Sequence, residues 1–393
     1  NRLQKAIWKR SQIAAYFESI PQPISIRSPA DLAPTIDLYY HLIRANQEEE
    51  AFQLLQERLY PFMQKKMGVY QQIMIKLLEM LIPNQTTLPH LEDPAAQLGV
   101  INLLAGLYVD SGQPDKAARL YKLDATEMQA QQQIDEMAIS LGKRGNALLQ
   151  TGNLKAAAEN GAALSDIYEQ ISNRALRIQG HWNNGRLLTY QGNATRGKTE
   201  IATALGLAVA EKLTSAQSTT WAYRAEMSLL EGKNNQEAHS AARKALQFAR
   251  QDTEFSIIVH ARWLLGWTMI EMRQFEQAEA SLTEALTLAQ ANSLFRFIPS
   301  IVLTQARWER ARGHNKERPQ ALATQALRLA QRAGYQLQVA VCYQFMTQLA
   351  LDKGDYTPAQ WYAMKSRELA AACGYAPVLK AAEKLIKMLS YTI

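Results

Sequence analysis

Apolar residues along most of this chain return at the three- and four-residue spacing of a helix face, not in the alternation of a half-buried strand. In IQGHWNNGRLLTY (178–190), Asn183, Asn184 and Arg186 stand between apolar positions, which predicts an amphipathic helix. The helical segments are broken at a regular beat. Gly112, Gly152, Gly192, Gly232, Gly313 and Gly354 lie 40, 40, 40, 81 and 41 positions apart, and Arg273 fills the middle of the long interval. Around each point the same order recurs, as in DSGQPDKAARLY, QTGNLKAAAENG, LEGKNNQEAHSA and DKGDYTPAQWYA. A helix ends, glycine turns the chain, and four or five residues later a small residue opens the packed face of a second helix. Ala117, Ala157, Ala238, Ala278 and Ala359 hold that second place, and Gly197 holds it in YQGNATRGKTEI. Glycine suits the turn because it adopts φ > 0 without a Cβ clash.

These landmarks resemble the tetratricopeptide repeat over residues 96–375, in seven repeats. Ala105, Tyr108, Gly112, Ala117 and Tyr121 carry the family spacing in the first repeat, and Gly266, Phe275, Ala278, Leu282 and Ala285 in the fifth. The period is 40 rather than the usual ~34, which lengthens the helices by about one and a half turns. The sixth repeat departs most, with extra residues in HNKERPQAL and Pro319 at the second helix's start. The resemblance implies an all-α fold: a right-handed α-solenoid of stacked hairpins with a concave inner surface. After Pro377 a single helix, with Lys380, Glu383, Lys384 and Lys387 outward, is expected to cap it over 376–393.

Residues 1–95 do not keep the beat. KAIWKRSQIAAYFESI predicts a helix ending before the Pro-rich PQPISIRSPADLAP. A repeat-like hairpin is expected at about 31–67, with Asn46 at its turn and Ala51 after it, and YQQIMIKLLEMLI then predicts an extra helix. Ala14, Tyr16 and Phe17, Asp31 and Leu32, the run His41, Leu42, Ile43, Arg44 and Ala45, and then Gly68 and Tyr70 carry a second resemblance. They are similar to the region that follows the NB-ARC-type module in bacterial signal-transduction ATPases of the STAND class. That resemblance implies a repeat region acting as ligand sensor, with the NTPase upstream in the same chain. The chain opens NRLQKAIWKR rather than with Met, so we expect a piece of a longer protein.

Length alone would give two or three domains, and 47% apolar residues are ample for a core. No apolar run approaches the ~18–20 residues of a membrane span, so no membrane partner is expected. A net charge of +7, spread without a long basic run, gives little reason to expect nucleic acid. Cys342 and Cys373 lie in helical patterns and read as small buried residues, which suits a reducing, cytoplasmic compartment. Six scattered histidines form no metal-binding pair, and His41, between apolar neighbours, reads as a packed or capping residue rather than a general base. One stretch invites an enzymatic reading. GNATRGKT (192–199) fits the G-x-x-x-x-G-K-T pattern of a phosphate-binding loop. Such a loop must follow a buried strand, whereas a helix is predicted before it, and the repeat already accounts for both glycines. No cofactor and no catalytic group are therefore expected in these residues.

In tetratricopeptide repeats, first-helix residues about ten, six and three positions before the turn glycine line the concave groove. Counting back nominates Asn146, Trp182, Arg186, Tyr190, Glu226, Trp263, Trp267, Arg307, Arg310 and Gln344 as ligand-binding candidates. Asn102, Thr189, Ala222, Tyr223, Ile270, Leu303 and Gln348 fall at or beside the same positions. Aromatic and arginine side chains concentrate there, as they do in binding hot spots. Arg186 and Arg307 are expected outside the core, so that reversing their charge should weaken binding and leave folding alone. The leading expectation is thus a sensor module of a STAND-type ATPase, in defence or transcription, taking a protein or peptide in the groove. A stand-alone peptide-pheromone receptor is the alternative, and a nucleotide-binding enzyme a distant third.

Overall fold

The computed structural model describes residues 19, 29–64, 67–82, 84, 86–232, 234–251, 254–313 and 317–390. The expected helix at 5–20, the Pro-rich segment up to Ser28, and the motif residues Ala14, Tyr16 and Phe17 lie outside the described residues, Ser19 apart. So do His314–Lys316 of the sixth turn and the last three residues. Helices account for nearly all the described chain, and among the described residues there is no strand. It divides into two compact units, residues 1–111 and 112–393.

In the first unit a 3-10 turn at Pro29–Leu32 leads into α1 (Ala33–Arg44). Asn46, at φ 60°, turns the chain into α2 (Glu48–Leu54), a π turn (Leu55–Leu59) and α3 (Tyr60–Met63). Asparagine tolerates this left-handed conformation better than most residues. The π turn sits where Pro61 withholds an amide from the helical ladder. α4 (Met67–Leu81) packs beside α1, and the buried Tyr39 hydroxyl donates to the Leu77 carbonyl at 2.7 Å. α5 (Pro94–Asp110) starts at Asp93, whose carboxylate accepts from the Ala95 amide, with Pro94 at a position that needs no N–H.

The second unit is a stack of hairpins. After Gly112 come α6 (Pro114–Ala130), α7 (Ile134–Thr151), α8 (Leu154–Asp166), α9 (Ala175–Tyr190) and α10 (Ala194–Ala210). These are followed by α11 (Thr214–Glu231), α12 (Asn235–Ala249), α13 (Phe255–Glu271), α14 (Phe275–Ala291) and α15 (Ile298–Arg312). α16 (Arg318–Ala333), α17 (Gln336–Lys353), α18 (Tyr356–Cys373) and α19 (Ala376–Leu389) complete it. All six turn glycines take positive φ, and Arg273 adopts φ 59° in their place. The Gly192 turn shows the economy of the device. The Asn193 amide reaches back to the Leu188 carbonyl at 2.7 Å, closing α9, while its side chain accepts from Arg196 and opens α10.

First helices pack on first helices of neighbouring hairpins: α7 on α9, α9 on α11, α11 on α13, α13 on α15, α15 on α17. Being covered on both sides, α13 is apolar almost all round, whereas the outer α12 and α16 carry one apolar stripe. The layout is that of a tetratricopeptide-like α-solenoid.

The apparent phosphate loop is resolved by this layout. α9 precedes it instead of a strand, and Gly197, Lys198 and Thr199 lie inside α10. The Gly197 amide donates to the Asn193 carbonyl, so it is not turned toward a ligand. A Cβ on Gly197 would lie 2.7 Å from the Gly185 carbonyl oxygen, and one on Gly185 3.0 Å from that of Gly197. The glycines let α9 and α10 touch backbone to backbone.

Candidate functional site

Stacking first helices places corresponding residues of successive hairpins side by side, one repeat apart. One such row runs Asn146, Arg186, Glu226, Trp267, Arg307 and Gln348, at intervals of 40 or 41. Its partnerships follow from which residue stands next. Arg186 donates to the Asn146 side-chain amide oxygen at 3.0 Å on one side and lies 4.0 Å from the Glu226 carboxylate on the other. The Tyr190 hydroxyl receives from Arg186 at 3.3 Å and donates to Glu226 at 2.9 Å. The guanidinium also lies 4.4 Å from the Tyr223 ring centroid. Burial works against its charge, but Tyr190, Tyr223 and Glu226 outweigh that and hold its pKa above the ordinary value.

Further along, the neighbour is no longer a carboxylate. The Arg307 guanidinium sits 4.3 Å over the Trp267 ring, and among the described residues neither a hydrogen bond nor an ion pair reaches it. Desolvation pulls its pKa below the ordinary value, and Glu271 opposes that only in part. Trp267 stacks on Trp263, whose indole N–H donates to Thr304 at 2.8 Å, so the platform beneath Arg307 is fixed. Arg310, by contrast, makes two hydrogen bonds to Asp352, at 2.6 and 3.0 Å, and one to Gln348.

These groups border a cleft of about 920 Å³ on the inner face of α11, α13, α15 and α17. Of the ten candidates, Glu226, Trp263, Trp267, Arg307, Arg310 and Gln344 line it, as do Ile270, Leu303 and Gln348. Asn146, Arg186 and Tyr190 form the polar cluster beside it. Trp182 turns into the hairpin packing, edge-on to Tyr223 at 6.0 Å and against Ile178 and Ala204. The Thr189 hydroxyl donates to the Gly185 carbonyl, facing α10 rather than the cleft, and Ala222 is buried in the core. Asn102 belongs to the first unit, where its amide bonds the Leu98 carbonyl. The expectation that Arg186 stands outside the core is corrected: it is turned into an inward network, its two terminal nitrogens bonding Asn146 and Tyr190 while its Nε, 4.0 Å from the Glu226 carboxylate, makes no hydrogen bond.

Counting back from turn glycines missed the far wall. Tyr375, and Pro377, Val378 and Ala381 of α19, line the same cleft. The Tyr375 ring meets Tyr190 edge-on at 5.3 Å, and a Cβ on Gly192 would lie 3.0 Å from Ala376. The solenoid therefore curls until its last helix meets its third hairpin. The signal in the sequence was the aromatic after Gly374, just ahead of a helix for which only a wet outer face was expected. Lys380, Glu383, Lys384 and Lys387 are indeed exposed; it is the opposite face of α19 that closes the cleft. His260, also passed over, is buried against Tyr223, Trp263 and Phe297, and burial with nearby Arg186 and Arg296 pushes its pKa down to about 3.

Elsewhere the chemistry is quiet. Cys342 is buried and its thiol pKa is pushed up to about 12 by desolvation. Among the described residues no group of His, Cys, Asp or Glu gathers as a metal site, and no helix is long and apolar enough to cross a membrane. Trp308 is buried, whereas Trp361 is exposed beside Tyr343 and Tyr362.

No family model and no curated protein matches the chain. Solved structures do. A Rap protein complexed with Competence and Sporulation Factor superposes with a TM-score of 0.58 at 13% identity, over 88% of this chain and 98% of that one. A STAND protein with a tetratricopeptide repeat sensor, from Pyrococcus horikoshii, matches with a TM-score of 0.43 at 15% identity, over 98% of this chain and 55% of that one. Aspartyl phosphate phosphatase F from Bacillus subtilis matches at 0.43 and 12% identity, over 94% and 96%. The first of these establishes a shared fold.

Proposed function

We propose that residues 112–393 form a binding module that takes a peptide, or an extended segment of a protein, into the concave cleft. The observation that carries this reading is Arg307, without a hydrogen bond or ion pair among the described residues, over the Trp263–Trp267 platform inside a cleft of about 920 Å³. That volume falls within the range of ligand sites, and tryptophan and arginine are the side chains that most often dominate binding energy. The Rap protein of similar fold, solved with Competence and Sporulation Factor, supports the idea that such a solenoid accepts a ligand.

The setting we propose is the sensor region of a STAND-type ATPase, supported by Asp31–Leu32, His41–Ala45, Gly68 and Tyr70. A stand-alone peptide receptor would use the same cleft. The reading frame surrounding this sequence in its gene separates the two, because the first requires an NTPase module ahead of it.

The binding reading is tested with dye-labelled degenerate octapeptides and fluorescence anisotropy. The wild-type protein should retain a subset of the pool. Trp267→Ala, with unchanged helical circular dichroism, should weaken retention at least tenfold. Equal retention by both proteins would remove the cleft from consideration.

A further inference from the structure

The outer face of the second unit carries a cavity of about 360 Å³ that shares no lining residue with the cleft. It lies between α10 and α12, each of which packs on α11, so that α11 forms its back. The floor is apolar: Ile201 of α10 and Met227 of α11, each 2% exposed. Ala202 and Leu205 line the α10 side. A short side chain leaves that floor uncovered. Ala202 is exposed, whereas the equivalent residue of α12, 41 positions on, is Arg243, and a stem of that length at 202 would lie over the apolar surface.

The rim decides what kind of molecule fits. The charged groups of the lining are Lys198, Arg224 and Glu237. Lys198 pairs with Glu231 at 2.8 Å, and Arg224 with Glu237 at 3.1 Å, so both cations are matched by carboxylates. An anion would have to compete with those carboxylates, and a cation would meet Lys198 and Arg224. The Thr199 hydroxyl is spent on the Thr195 carbonyl of its own helix. Nothing in the lining therefore asks for a charged or strongly polar partner, while the floor gains from any body that replaces water over it. Size narrows the choice further. An aliphatic cavity of ~150 Å³ holds one benzene ring, so about 360 Å³ suits a body of roughly two fused rings.

We infer that this cavity binds an uncharged apolar small molecule of about two-ring size, at a site separate from the peptide cleft. The stretch that imitates a phosphate loop thus supplies, through Lys198 and Thr199, one edge of a site for a ligand without charge.

Prodan, an uncharged naphthalene dye whose emission brightens and shifts to the blue away from water, tests the site by titration. Wild-type protein should bind it, and Ala202→Phe, with unchanged helical circular dichroism, should weaken binding at least about tenfold by taking the volume the dye needs. Binding that survives Ala202→Phe, or that is lost in Trp267→Ala instead, places the dye elsewhere and overturns the inference, as does the absence of any binding. Charge is tested by displacement. 2-Naphthol should displace the dye at least about tenfold better than naphthalene-2-sulfonate at equal ionic strength. A sulfonate that displaces it better, and loses that advantage in Lys198→Ala, would assign the site to anions and overturn the inference. A further measurement keeps the location testable on wild-type protein. With methyl-13C methionine, the Met227 signal, assigned through the volume-conserving Met227→Leu, should move as 2-naphthol saturates the site, because a bound ring lies against that methyl. A Met227 signal that stays in place while the dye is displaced overturns the inference.

Discussion

Gly192 and Gly232 occupy equivalent turns, at φ 88° and 63°, yet their surroundings differ. A Cβ on Gly232 would meet nothing within 4 Å, while one on Gly192 would press on Ala376. Gly232→Val should cost about 1–3 kcal/mol for its backbone alone, and Gly192→Val roughly 1 kcal/mol more for the added collision. Urea denaturation midpoints check the order; equal losses would show that the turn of the solenoid does not press on Gly192. Arg186 tests the inward network. Arg186→Leu leaves Glu226, only 14% exposed, without its cation and should cost about 3–5 kcal/mol, with Arg186→Leu/Glu226→Leu recovering much of it. His260 gives a pH signature. Its pKa falls from about 6.5 unfolded to about 3 folded, so between those values the unfolded chain holds more protons. Stability should therefore fall as pH drops below 6.5, by up to about 1.4 kcal/mol per unit, and His260→Phe should flatten that slope. An unchanged slope in denaturation series from pH 7 to 5 would exclude His260 as its source. The glycine turns were legible because a φ > 0 requirement leaves a residue-level mark. The fate of Arg186 was not, because its partners stand one repeat away and only the stacking makes them neighbours.

At the scale of elements, a forty-residue beat announced each first turn, and the structure puts a helix end at every one. The return turns between hairpins left no common mark. Gln132, Lys212, Ser293, Gly334 and Gly374 all take positive φ there, and only two are glycine. The false phosphate loop shows what spacing can and cannot say. Both of its glycines are structural, one for the turn and one for the contact between α9 and α10. Gly197→Ala should cost about 1–3 kcal/mol by forcing those helices apart. Lys198→Ala removes only a surface pair with Glu231, at 2.8 Å, and should change stability by less than about 0.5 kcal/mol. Neither should alter ATP retention in equilibrium dialysis. ATP affinity that disappears with Lys198 would reverse the assignment.

At the scale of the whole molecule, helical repeats are commonly treated as a line of neighbours, each stabilised only by the next. The second unit departs from that. Gly152 lies against Leu337 and Cys373, Gly192 against Ala376, and Tyr190 against Tyr375, so residues far apart in the chain share one packed seam. No local pattern announces such a seam, which is why the sequence showed hairpins and an inner face but not the wall that α19 adds to the cleft. The seam makes a definite prediction. Ala376→Leu places three more carbons where Gly192 leaves no room, and α19 must swing away from α9. Amide exchange should then rise in α19 and also at the C-terminal turn of α9, while α11 and α12, outside the seam, keep their protection. Acrylamide should quench the cleft tryptophans Trp263 and Trp267 more strongly, because Tyr375, Pro377 and Val378 no longer close the cleft that they share. A linear stack would respond differently, with exchange rising in α18 and α19 alone and tryptophan quenching unchanged. That outcome would reduce α19 to a cap and leave the cleft open along one side.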